Sequence, residues 1–144
     1  DAFIRTYFER CPGVTALIGQ TVREAEENGY VTTLRGRRRP IPAIRSGNRT
    51  EKAAAERIAV NTPIQGSAAD IVKMAMVAID GRLRDANRRS RLLLQVHDEL
   101  ILEVPDDELD AVSALVREAM EGVVDLGVPL RVGLKSGRSW GDVD

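Results

Sequence analysis

The chain has 144 residues, 43% of them apolar and 30% Asp, Glu, Lys or Arg, with a formal net charge of −1; this is enough for one domain with a real core and no more. A single cysteine, Cys11, and a single histidine, His97, exclude a disulfide framework, a cysteine metal cluster and a multi-histidine zinc site. No apolar run approaches 18 residues and no signal-like stretch opens the chain, so a soluble, intracellular protein without a membrane partner is expected, and a start at Asp1 rather than Met fits a piece of something longer.

Residues 1–28 read as two helical stretches broken at Cys11-Pro12-Gly13. The second places Val14, Leu17, Ile18 and Val22 at helical spacing for packing and stops at Asn28-Gly29. Tyr30 to Leu34 is β-rich, and Gly36 followed by Arg37-Arg38-Arg39 and Pro40-Ile41-Pro42 predicts a turn and a short edge strand, since proline lacks the ladder N–H. Ser46 to Arg49 is a loop, with Asn48 or Thr50 available to cap the helix that follows. That helix carries Arg57, Asn61 and Gln65 at intervals of four, which stacks them on one face. Pro63 predicts a kink or a split near Val60. Past it, Ile64, Ala68, Ile71, Val72, Ala75, Ile79 and Leu83 form an apolar stripe suited to packing on a sheet.

Asp85 to Ser90 links into Arg91–Val104, which reads as a β-hairpin. Leu92, Leu94 and Val96 alternate on one face of its first strand, and Leu100, Leu102 and Val104 on one face of the second. Pairing Val96 with Leu100 puts both sets on the core side and leaves a three-residue loop, His97-Asp98-Glu99. Gln95, His97, Glu99 and Glu103 then share the opposite face. Adjacent carboxylates at a bend call for solvent, a basic partner or a metal, because burial without a partner is costly. A hard cation such as Mg²⁺ takes carboxylate oxygens and keeps waters for a phosphate substrate; the plainer reading is a solvated acidic tip.

Asp106 and Asp107 sit where a helix start favours negative charge, and Leu109, Val112, Val116, Ala119, Met120 and Val123 give a buried stripe. Gly127 to Leu134 reads as a closing strand, and Trp140 as a residue packed at an edge. The expected class is α+β: an antiparallel sheet of the hairpin plus the C-terminal strand, backed by helices on one face. Charge is unevenly spread along the chain. From Arg35 to Arg57 eight Lys or Arg face two acids, whereas from Asp98 to Asp125 ten acids face one Arg. That layout suits a protein that grips a polyanion with one part and holds cations with another; two unrelated solvated faces are the alternative.

Three ordered segments carry a resemblance: Gly29 to Arg39, Ala55 to Asp70, and Gln95-Val-His-Asp-Glu99. Together they closely resemble the C-terminal palm region of family A DNA polymerases, the bacterial DNA polymerase I type, and the likeness runs from about Tyr7 to Trp140. The resemblance implies a fingers-derived helical segment with a basic hairpin over 1–48 and a palm portion over 49–144. It implies a DNA-directed DNA polymerase that uses Mg²⁺ and acts on primer-template DNA and deoxynucleoside triphosphates in the bacterial cytoplasm, associated with the nucleoid. Asp98 matches the family's second catalytic aspartate, a metal ligand; Glu99 matches its acidic neighbour and His97 a residue close to the primer terminus. Arg57, Asn61 and Gln65 match side chains that approach the minor groove near the growing end. The basic cluster of Arg35 to Arg45, with Arg37 and Arg38, is expected on phosphates.

In the family, the first catalytic aspartate and the nucleotide-binding helix lie upstream of the segment seen here. An upstream polymerase segment is therefore an implied partner, and the isolated chain is expected to be inactive. A non-catalytic duplex nucleic-acid-binding module is the alternative reading. A stand-alone two-metal nuclease is a weaker one, because it needs more converging carboxylates than one hairpin offers.

Overall fold

Pro12 inside the first turn of a helix and Gly29 just beyond its end set the N-terminal layout in a computed structural model that describes residues 2–143. Helix α1 spans Ala2–Arg10 and α2 spans Pro12–Asn28. Proline is harmless at the start of α2, where its missing N–H has no intrahelical acceptor. Gly29 ends the helix at φ +79°, its N–H donating to the Ala25 carbonyl at 2.8 Å. The Arg45 guanidinium donates to the carbonyls of Glu26 and Glu27 at 2.6 and 2.8 Å, covering acceptors that the last turn leaves open.

Strands β1 (Tyr30–Thr32) and β2 (Arg38–Pro40) pair antiparallel, with Tyr30 opposite Pro40 and Thr32 opposite Arg38. The turn between them closes through the Gly36 N–H on the Thr33 carbonyl at 2.9 Å, with Gly36 at φ +79°. A 3-10 turn at Pro42–Arg45 leads to helix α3, Arg49–Asp85, which is 37 residues long. Asn48 caps it, its Oδ1 accepting the N–H groups of Thr50 at 2.9 Å and Glu51 at 3.4 Å. Strands β3 (Arg91–Val96) and β4 (Glu99–Glu103) form the second hairpin, and helix α4 spans Leu109–Glu121 after a 3-10 turn at Asp106–Glu108.

Contacts divide the chain into two compact units, Asp1–Asp70 and Ile71–Asp144. In the first, Ala25, Val31, Ile41, Ile44, Ala55 and Ala59 form the core. The alanines on α3 leave room for Ile44 to lie against the helix. In the second, Ile79 and Leu83 meet Val112, Val116 and Ala119, with Leu100, Leu102 and Val104 of the hairpin packed on them. Helices plus two small antiparallel sheets make the α+β class expected.

Five expectations are corrected. Gly127–Leu134 is not a strand: Pro129 offers no N–H, Gly127 turns at φ +71°, and the Val132 N–H donates to Glu121 Oε1 at 3.0 Å, so the segment docks by a side chain and by Leu134 on the core. Pro63 does not split its helix. Leu17 of α2 is exposed rather than packed, and Ile64 and Ala68 are exposed, so the apolar stripe of α3 becomes core only further along, at Ala75, Ile79 and Leu83. Trp140 is 61% exposed within a 3-10 turn, not packed at an edge. Among the described residues, no helix is long and apolar enough to cross a membrane.

Candidate functional site

The first half of α3 separates into two faces. Ala55, Ala59, Thr62 and Ser67 are buried, and a Cβ on Gly66 would lie 2.7 Å from Thr33 Cγ2, so this line of small residues is where β1–β2 lies against the helix. Arg57, Asn61 and Gln65 are exposed on the other side, as their spacing predicts. Their stems are thus held by a packed helix while their donor groups face outward. An arginine and two amides offer N–H donors at one-turn intervals, about 6 Å apart along the axis.

The basic hairpin is less free than its charge implies. Arg37 donates through Nε to Asp70 Oδ1 at 2.8 Å and through Nη2 to the Gly66 carbonyl at 3.0 Å. The Arg38 guanidinium lies 4.7 Å from the centre of the Tyr30 ring, a cation–π contact that leaves its edge in solvent. Arg39 Nη1 reaches Thr62 Oγ1 at 3.4 Å. Of the predicted phosphate contacts, Arg37 is thus already engaged within the chain, whereas Arg38 is presented outward. Asp70, which secures Arg37, carried no signal in the sequence beyond its place in the matched segment.

The second hairpin bends differently from expectation. Val96 pairs with Glu99, Gln95 with Leu100 and Leu94 with Ile101, while Leu92 pairs with Leu102 across an irregularity. The bend is therefore two residues, His97 and Asp98, and not three. His97 takes φ +56° and Asp98 does not share the positive sign, so the bend places a non-glycine residue in the positive-φ region at its first position. Cross-strand partners share a face, so Gln95 lies with Leu100 and Glu99 with Val96; the expected single charged face of Gln95 and Glu99 does not exist. Leu94, expected in the core, is exposed. Gln95 serves the bend itself, donating from Nε2 to the His97 carbonyl at 2.7 Å.

His97, Asp98 and Glu99 are all exposed. Carboxylates adjacent in sequence at an exposed bend are the kind of donor a hard divalent cation takes while keeping waters for phosphate oxygens. Among the described residues no group of three or more His, Cys, Asp or Glu is assembled. The bend thus supplies carboxylate oxygens, the donor type such a cation takes, but the described residues do not by themselves assemble a full ligand set.

One buried carboxylate escaped the sequence reading. Glu108 accepts the Ser90 hydroxyl at 2.6 Å and the N–H groups of Arg89 and Ser90 at 3.1 Å each, and Arg89 also pairs with Asp107. The Ser90 hydroxyl first, then the two N–H groups and the Arg89 charge, outweigh the opposing effect of burial and hold its carboxyl down to about 2. This constellation ties the entry of β3 to the turn before α4; its partners stand 18 and 19 residues apart.

A sequence model of DNA polymerase family A matches residues 1–142. DNA polymerase I of Bacillus caldotenax is 52% identical over 140 residues, 97% of this chain and 16% of that protein; the enzyme of Bacillus subtilis (strain 168) is 51% identical over 141 residues, again 16% of its length. The chain thus spans about a sixth of these relatives. A solved structure described as the POL domain of Pol1 from M. smegmatis in complex with DNA primer-template and dNTP superimposes with a TM-score of 0.92, at 49% identity over 95% of this chain and 24% of that one.

Proposed function

This chain belongs to DNA polymerase family A, and on that footing we propose that it is the C-terminal fingers-to-palm segment of a DNA-directed DNA polymerase, 1–48 closing the fingers and 49–144 forming part of the palm. The observation that carries this reading is the agreement in fold with a POL domain described with primer-template and dNTP. Its substrates are a primer-template duplex and deoxynucleoside triphosphates, and its setting is the bacterial nucleoid.

Arg57, Asn61 and Gln65 meet the minor groove near the primer end. Purine N3 and pyrimidine O2 are acceptors in nearly fixed positions for every correct pair, so these donors test pair geometry without reading sequence. Arg38 contacts phosphate, which adds affinity and no specificity. Asp98 and Glu99 would hold Mg²⁺ together with the first catalytic aspartate of an upstream polymerase segment. Bound Mg²⁺ supplies charge neutralisation of the triphosphate and favours the alkoxide form of the primer 3′ hydroxyl. His97, held at the bend, stands by the primer terminus.

Incorporation of one complementary deoxynucleotide onto a primer-template, measured with the complete protein, tests the reading. Templated, Mg²⁺-dependent extension is expected. Salt-sensitive duplex binding without extension would overturn it in favour of a non-catalytic duplex-binding module.

A further inference from the structure

Helix α3 is weakest where it carries the proposed primer-reading residues. Pro63 has no N–H, so the Ala59 carbonyl lacks its regular donor, and Gly66 adds backbone freedom three residues on. Thr62 Oγ1 donates to the Ile58 carbonyl at 2.7 Å and Ser67 Oγ to the Pro63 carbonyl, side-chain bonds of the kind that bend helices. Asn61 and Gln65 lie within this stretch, and the contacts of the β1–β2 hairpin fall on it. Leu34 N–H donates to Ser67 Oγ at 2.9 Å, Arg39 reaches Thr62, and Arg37 forks between the Gly66 carbonyl and Asp70. Gly66 admits the hairpin so closely that no side chain fits between.

We propose that Arg37 is a positioning residue, not a phosphate contact: braced by Asp70, it splints the Pro63–Gly66 stretch of α3 and fixes the register in which Gln65 meets the primer terminus. This rests on the polymerase reading and deepens it. The fork geometry matters because a guanidinium spans two acceptors in one plane, whereas an ammonium offers the same charge without that rigidity. Asp70 decides between the two roles for Arg37. A phosphate-binding arginine released from an internal carboxylate binds DNA as well or better; a splint released from it fails.

The test uses the complete polymerase with Asp70→Asn, Arg37→Lys, Arg37→Met, Gln65→Ala and the Asp70→Asn/Gln65→Ala pair, each checked for a native melting transition. Single-nucleotide extension from a matched primer is measured alongside duplex affinity as a function of salt. Asp70→Asn and Arg37→Lys should each slow extension roughly 10-fold, the scale of a small misplacement of a positioning group. Affinity and its salt slope should stay unchanged in both and in Arg37→Met, and the double variant should be no slower than Gln65→Ala alone. Unaltered extension in Asp70→Asn and Arg37→Lys, defects that multiply with Gln65→Ala, or a salt slope reduced by about 0.9 in Arg37→Met would overturn the proposal and return Arg37 to phosphate binding. Should Asp70→Asn fail to fold, Arg37→Lys decides alone. Wild-type extension by Gln65→Ala would instead remove the primer-reading face, and the splint with it.

Discussion

His97 occupies a backbone region that favours glycine, at φ +56° in the first position of a two-residue bend. A non-glycine residue there costs on the order of 1–3 kcal/mol and persists where the surroundings enforce it, which fits a side chain kept for function. His97→Gly releases that strain but adds freedom to the unfolded chain worth about 0.5–1 kcal/mol. The net expectation is a gain of roughly 0–2.5 kcal/mol in urea unfolding together with slower primer extension; loss of stability would contradict the strain. Glu108 gives a second residue-scale prediction, in pH. Its folded carboxyl is held at about 2 against an ordinary 4.5, so between those values the unfolded chain binds more protons and stability rises with pH. The contribution is complete above about pH 4.5 and is lost as pH falls toward 2. Glu108→Gln should flatten the stability profile across that window, followed by urea midpoints; an unchanged slope would exclude the Ser90–Glu108 link as its source.

Among the elements, the contact of β1–β2 with α3 is the most sharply testable. Gly66→Ala improves helix propensity by up to about 1 kcal/mol, yet its new Cβ falls 2.7 Å from the buried Thr33 Cγ2. Overpacking should win, with a loss of about 1–3 kcal/mol in thermal unfolding. Thr33→Ser removes that methyl and keeps the hydroxyl that accepts the Arg37 N–H at 3.1 Å, so it should restore stability in the Gly66→Ala background. Failure of that rescue would place the close approach elsewhere. Local spacing made much of this architecture legible: the break at Pro12, the stop at Gly29, the Asn48 cap and the exposed row of Arg57, Asn61 and Gln65 each follow from a few neighbouring residues. Pairing information did not travel so far. Strict alternation in Arg91–Val104 left no room for the irregularity between Leu92 and Leu94, and the bend residues carry no glycine to announce a two-residue turn. The Arg37–Asp70 bond joins residues 33 apart, and nothing local in the sequence marks either as the other's partner. Gly127–Leu134 had strand composition, but a strand is made by its ladder, which this segment does not enter.

For the molecule as a whole, charge is divided along the chain, basic from Arg35 to Arg57 and acidic from Asp98 to Asp125, and the proposed reading gives each stretch its own task. Phosphate contacts act through released counterions, so each one adds about 0.9 to the slope of log affinity against log salt. Arg38→Ala in the complete polymerase should lower that slope by about this amount and weaken binding to all duplex sequences alike. An effect confined to certain sequences would point to base contact instead. On the proposed reading, the metal chemistry falls to the Asp98 and Glu99 carboxylates at the hairpin bend. The most direct measurement is single-turnover incorporation of one complementary deoxynucleotide by the complete polymerase carrying Asp98→Ala, with primer-template affinity measured beside it. Incorporation should fall by roughly 10²–10³-fold or more while the duplex is bound as before, the loss expected when a group that stabilises the transition state is removed. Incorporation at the unaltered rate would contradict the assignment of Asp98 to the metal site, and with it the account of this hairpin.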